Sequence, residues 1–137
     1  MNPEVLVDTS VAVPIVLADH EHHRPTLDAV GRRSAGLSGH AAFETFSVLT
    51  RLPSPARRSA ATVTQLLREN FPGTRFLSAA AASELLGRLP SLGTAGGSVY
   101  DALVGATAVE HGLRLLTRDR RAVTAYRALE VDVELLE

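Results

Sequence analysis

The 137-residue chain contains no cysteine, no lysine and few aromatic side chains. Without cysteine there are no disulfides and no thiolate metal sites, which fits a reducing cytoplasm. Without lysine there is no P-loop, no Schiff-base nucleophile and no receiver-domain lysine; all 14 basic residues are arginine. Aromatic residues make up 4% of the chain, which predicts no base-stacking platform. No apolar stretch reaches membrane-spanning length without a charge, so no membrane association is expected. The N-terminal Met-Asn-Pro-Glu lacks a basic region followed by an apolar core, so no secretory signal is expected. An excess of one charge is missing too. With 14 basic and 15 acidic residues the formal charge is -1, which argues against general polyanion coating but leaves room for a local basic patch.

What is present suits one globular domain spanning 1–137. Hydrophobic residues form 45% of the chain, enough for a real core. Residues 4–8 read as a buried strand and 9–18 as a helix, with Pro14 tolerated only near its first turn. Residues 19–25 read as a polar loop, 26–33 as a short helix and 35–38 as a second strand. A helix is expected at 39–51, broken by Pro53 and Pro55, and an amphipathic helix at about 55–70. Residues 75–78 suggest a third strand, followed by a helix at 79–89 and a Gly/Ser/Pro-rich loop at 90–98. A long helix from 98 to 111 stops at Gly112; a strand at 113–117, a helix at 119–127 and a strand at 131–136 complete the chain. Short apolar strands separated by helices predict an α/β fold, with a parallel sheet of about four to five strands flanked by helices.

In such sheets ligands bind at the carboxyl ends of the strands. Two acids fall there: Asp8 after Val5-Leu6-Val7, and Asp119 after Leu115-Leu116-Thr117. Two more lie in apolar helical segments, Glu44 beside Phe43 and Phe46, and Asp101 within Val99-Tyr100-Asp101-Ala102-Leu103. Each has an ordinary reading. Asp8 and Asp119 precede helices and suit N-caps; Ser98 to Asp101 has capping-box spacing; Glu44 fits a solvent-facing position. Taken together, two strand-end acids and two helix acids can converge on one cleft. Carboxylates about 4 Å apart repel by about 4 kcal/mol per pair at an effective dielectric of about 20. A hard divalent cation relieves that repulsion with few protein ligands. Thr9, Ser10 and Thr117 are placed to offer hydroxyls to metal-held water or to a phosphate. His20, His22 and His23 match no standard metal spacing and read as an exposed loop. His111, before Gly112, suits a helix C-terminus.

These residues resemble the PIN-domain family. The resemblance rests on Asp-Thr-Ser after the N-terminal strand, Glu44 in a mid-chain helix, Asp101 in Tyr-Asp-Ala-Leu-Val-Gly-Ala-Thr-Ala, and Thr117-Arg118-Asp119. Length and acid order resemble the VapC-type toxins of bacterial toxin–antitoxin pairs. The resemblance implies a three-layer PIN-like fold and a Mg²⁺- or Mn²⁺-dependent endoribonuclease acting on structured RNA such as tRNA or rRNA. It implies catalytic acids at Asp8, Glu44, Asp101 and Asp119, of which Asp8, Asp101 and Asp119 hold the metal. It further implies a homodimer inhibited by a cognate antitoxin. One position departs from it: many members carry a bulky aromatic three residues after the last acid, where this chain has Ala122. RNA contacts are expected from Arg118, Arg120 and Arg121 beside Asp119, and from Arg51 beyond the Glu44 helix. The helices expected at 26–33 and 55–70 are candidate dimer surfaces. Two alternatives stand: a PIN-like DNA nuclease using the same acids, or a binding module whose acids only cap helices. A haloacid-dehalogenase-like phosphatase is disfavoured because Ser10 stands where a second Asp belongs.

Overall fold

The computed structural model describes residues 2–137. Four strands form one parallel sheet: β1 (Val5–Val7), β2 (Ala35–Leu37), β3 (Arg114–Thr117) and β4 (Val133–Leu135), in the order β2-β1-β3-β4. Val5 pairs with Ala35 on one side and Arg114 on the other, and Leu115 pairs with Val133. Seven helices are found among the described residues. They are α1 (Thr9–Val16), α2 (His23–Val30), α3 (Ala41–Thr50), α4 (Ala60–Asn70), α5 (Ala79–Arg88), α6 (Ser98–His111) and α7 (Arg120–Ala128).

Strand side chains alternate between faces, and this builds two cores. Leu6 and Leu115 pack on one side with Ala102, Val104 and Ala108 of α6 and Tyr126 of α7. Val5, Val7 and Leu116 pack on the other with Val11, Val30, Leu37 and Phe71. The result is a three-layer α/β/α fold. Burial on both faces explains why the inner strands β1 and β3 carry apolar runs, whereas the edge strand β4, half-buried, alternates Val133-Glu134-Leu135.

The expected strand at 75–78 does not form. Its segment makes a single parallel bridge, Ser38 to Arg75, beside β2. Ser78 accepts from Ala81 N and caps α5, so the chain turns into helix before a ladder develops. The approach is nevertheless close. A Cβ at Gly36 would lie 2.2 Å from the Gly73 carbonyl oxygen, so this crossing admits only glycine.

Three helix expectations also shift. α2 starts at His23, because Pro25 sits in the first turn, where no intrahelical N–H is lost. α4 starts only at Ala60, after Ser59 supplies its cap to Thr62 N. Pro14 lies in the second turn of α1, not the first. The α6 stop holds: Gly112 is left-handed at φ 64°. No helix among the described residues is long and apolar enough to cross a membrane.

Gly36→Ala should lower stability by about 1–3 kcal/mol, because the opposing atom is backbone and has no rotamer by which to withdraw. Urea unfolding of the variant beside wild type measures this.

Candidate active site

Asp8 ends β1 and caps α1, and only 5% of it is exposed. Its carboxylate is held from both sides. Oδ1 accepts from Ser10 N at 3.1 Å and from Ser10 Oγ at 2.5 Å. Oδ2 accepts from Thr117 Oγ1 at 2.5 Å and from Tyr126 OH at 2.8 Å. These are about as many hydrogen bonds as a carboxylate can accept. Burial still dominates and pushes the Asp8 carboxyl above its ordinary value, against the pull of those donors. Tyr126 is itself pushed far up, first by burial and then by the Asp8 charge, so its phenol stays neutral and donating.

The same hydroxyls extend the network. Ser10 Oγ accepts from Arg118 N at 2.8 Å, and Thr117 Oγ1 accepts from Asp119 N at 3.0 Å. The turn carrying Asp119 therefore hangs from the two partners of Asp8. Asp119 caps α7, accepting from Arg121 N at 3.0 Å. Thr9 Oγ1 contacts the Ala41 carbonyl and Thr45 Oγ1, both at 3.4 Å, and ties α1 to α3.

Glu44 and Asp101 lie in the first turns of α3 and α6. Neither helix start has a side-chain cap. The capping-box alternative for Asp101 is not realised, because Ser98 Oγ turns back to the Ala95 backbone. All four acids thus occupy helix N-termini, where the dipole favours negative charge. The fields of these acids overlap. The Glu44 carboxyl is raised by burial and then by the charges of Asp101 and Asp8, with His40 opposing. The Asp101 carboxyl is raised by burial and then by the charges of Asp119 and Asp8.

Among the described residues, no three carboxylate or imidazole groups close into a cage that could grip an ion. The donors are nonetheless all oxygen. A cation such as Mg²⁺ takes one or two carboxylates and completes its shell with water, so these acids would suit an open site and not a closed cage.

The arginines diverge. Arg118 Nη1 donates to the buried Thr26 Oγ1 at 3.1 Å, and Arg120 pairs with Glu137. Arg121 stands 3.7 Å from Asp119 with its side chain exposed, and Arg51 lines a cavity with Glu44. His111 matches its reading, but His23 does not lie in an exposed loop: it is half-buried and opens α2. His23 Nδ1 bonds the Pro14 carbonyl at 2.7 Å, and His111, in the last turn of α6, bonds the Phe76 carbonyl at 2.9 Å.

Tyr126 was the residue that pattern reading missed. The available signal was spacing: Tyr126 follows Ala122 by four residues and shares its helix face. Both are buried in one core. The aromatic absent at Ala122 is supplied one turn later, and its hydroxyl reaches Asp8.

A family model for the PIN domain matches residues 5–128. The chain is 41% identical over 133 residues to Ribonuclease VapC27 of Mycobacterium tuberculosis, covering 97% of each. It is 44% identical over 131 residues to Ribonuclease VapC40 of the same species, covering 94% of this chain and 96% of the relative. The structure resembles FitAcB from Neisseria gonorrhoeae (TM-score 0.67, 22% identity, 94% of this chain and 95% of that one). It also resembles PAE2754 from Pyrobaculum aerophilum (TM-score 0.58, 20% identity, 93% and 90%). At those identities the two structures speak for the fold alone.

Two outcomes follow from the electrostatics. Tyr126→Phe leaves the buried carboxylate one donor short and should lower stability at neutral pH by about 1.5–3 kcal/mol in urea unfolding. Asp101→Asn removes a carboxyl whose folded pKa is raised. Such a group stabilises fully below its ordinary value, and that contribution is lost as pH rises through the folded value. In EDTA the variant should therefore melt above wild type at pH 7, with the gap closing as pH falls toward 4; thermal scans across pH read this directly.

Proposed function

The chain belongs to the PIN-domain family, and from that premise we propose that it is a metal-dependent endoribonuclease and the toxin of a toxin–antitoxin pair. Its substrate is structured RNA such as tRNA or rRNA, its cation Mg²⁺ or Mn²⁺, and its partners a second copy of itself and a cognate antitoxin. The relatives carry the name ribonuclease, which supports the reaction class. The observation that carries the reading is the set of four acids at four helix N-termini, each of Glu44 and Asp101 raised by the charges of others in the set. Helix capping accounts for Asp8 and Asp119. It does not account for Glu44 and Asp101, which cap nothing.

Asp8, Asp101 and Asp119 would hold the cation, at most two of them directly and the third through a metal-held water, and Asp8 would exchange one of its four hydrogen bonds to take part. A hard divalent ion bound there lowers the pKa of a water and offsets charge on the phosphoryl group. Asp8 contributes a carboxylate fixed in rotation by Ser10, Thr117 and Tyr126. Glu44, half-buried with a raised pKa, suits proton acceptance from the attacking water. Arg121 and Arg51 lie beside the acids and suit the RNA backbone, since a planar guanidinium binds phosphate bidentately. Arg118 and Arg120 act at one remove, Arg118 by anchoring the Asp119 turn to α2.

Purified, antitoxin-free protein should cut total cellular RNA into discrete fragments with Mg²⁺ or Mn²⁺. EDTA should abolish the fragments, and Asp8→Asn should slow their formation by about 10²-fold or more. Fragments that persist in both controls would overturn the reading.

A further inference from the structure

Three of the six Phe and Tyr side chains are exposed: Phe43 at 64%, Phe76 at 53% and Tyr100 at 48%. They are not scattered. Tyr100 stacks on His40, with ring centres 4.8 Å apart and planes 13° from parallel. His40 lies 6.4 Å from Phe43, and Phe43 lies 6.0 Å from Phe76. The four rings form a continuous strip. One end meets the acids: Tyr100 precedes Asp101, and His40, Phe43 and Tyr100 share an open cavity of about 470 Å³ with Glu44 and Arg51. The other end opens into a groove of about 580 Å³ where Phe43 and Phe76 meet Arg68.

We propose that this strip is a base-stacking platform for unpaired nucleotides beside the cut site, so that the substrate must present a single-stranded segment. The proposal rests on the ribonuclease reading of the adjoining acids. Three features favour RNA over a protein occupant. The strip shares its cavity with Glu44, and Tyr100 directly precedes Asp101, so two of the four acids adjoin it. The stack of Tyr100 on His40 already has the near-parallel geometry that a base would continue. An arginine stands at each end, Arg51 and Arg68, suited to successive phosphates. Sequence-specific RNA recognition draws on unstacked bases in loops and ends, and such loops occur within structured RNA. The low aromatic content predicted no such platform; content measures abundance, and folding decides placement.

The chain has no tryptophan, so 2-aminopurine fluorescence is read without protein background. The probe is a short single-stranded oligoribonucleotide carrying 2-aminopurine, titrated in EDTA, beside a blunt duplex of the same sequence. Wild type should quench the single strand and not the duplex. Phe43→Ser and Tyr100→Ser should each raise Kd about tenfold, and Tyr100→Phe, which keeps the ring and adds no tryptophan, should bind as wild type does. With Mg²⁺ the two serine variants should raise KM for a single-stranded substrate more than they lower kcat. Serine variants with unchanged Kd and KM would overturn the platform while cleavage abolished by Asp8→Asn left the nuclease reading standing. A changed oligomeric state in sedimentation with unchanged RNA affinity would overturn it too, by assigning the strip to a protein interface. Quenching that follows the predicted variant order without any metal-dependent cleavage would support the platform and overturn the nuclease reading alone.

Discussion

The Asp8 carboxylate sits at the end of a strand flanked on both sides by other strands, and the surrounding structure is arranged around keeping it there. An isolated buried charge is costly, and the chain answers with donors from three separate segments: Ser10 on α1, Thr117 at the end of β3 and Tyr126 on α7. Those donors are also acceptors. Ser10 holds Arg118 N and Thr117 holds Asp119 N. The second strand-end acid is therefore positioned by the solvation of the first. A change at Ser10 or Thr117 would be felt at both acids without either being touched.

The cleft works against itself electrostatically. Helix N-termini favour each acid separately, yet burial raises Asp8 above its ordinary value, and burial with the charges of neighbouring acids raises Glu44 and Asp101. The metal-free fold carries this cost because the parallel sheet and its helices are stabilised elsewhere, in the two cores above and below it. Under the proposed reading, a cation held among the acids would relieve the repulsion and so couple its binding to stability of the fold. The aromatic strip adjoins this cleft on α3 and α6, the two helices that also carry Glu44 and Asp101. The candidate acids and the proposed base contacts thus share these two helices, so a shift of either helix would move both.

Much of the architecture was readable in advance. Short apolar stretches marked β1, β2 and β3, the 131–136 segment contained β4, Gly112 marked the end of α6, and Pro53 and Pro55 separated α3 from α4. The four acids stood out because each interrupts an apolar context. Errors came where local pattern had two outcomes. The segment at 75–78 has strand composition, but Ser78 begins a helix at once and leaves one bridge. Ser98 has capping-box spacing to Asp101, but its hydroxyl turns to Ala95. A short side chain offered two backbone partners takes the one that the loop presents.

The sequence by itself determined most of the succession of strands and helices, the parallel α/β class and the position of Asp8 and Asp119 at strand ends. Hydrophobic periodicity, glycine and proline stops, and strand length are local properties, and local energetics suffice for them. Only the tertiary structure decided that Tyr126 partners Asp8 across 118 residues of chain, that Arg118 anchors to Thr26, and that three exposed rings line up beside the acids. Which donor a buried carboxylate meets, and which surface rings become neighbours, follows from how distant elements pack, and no periodicity within one element carries that information.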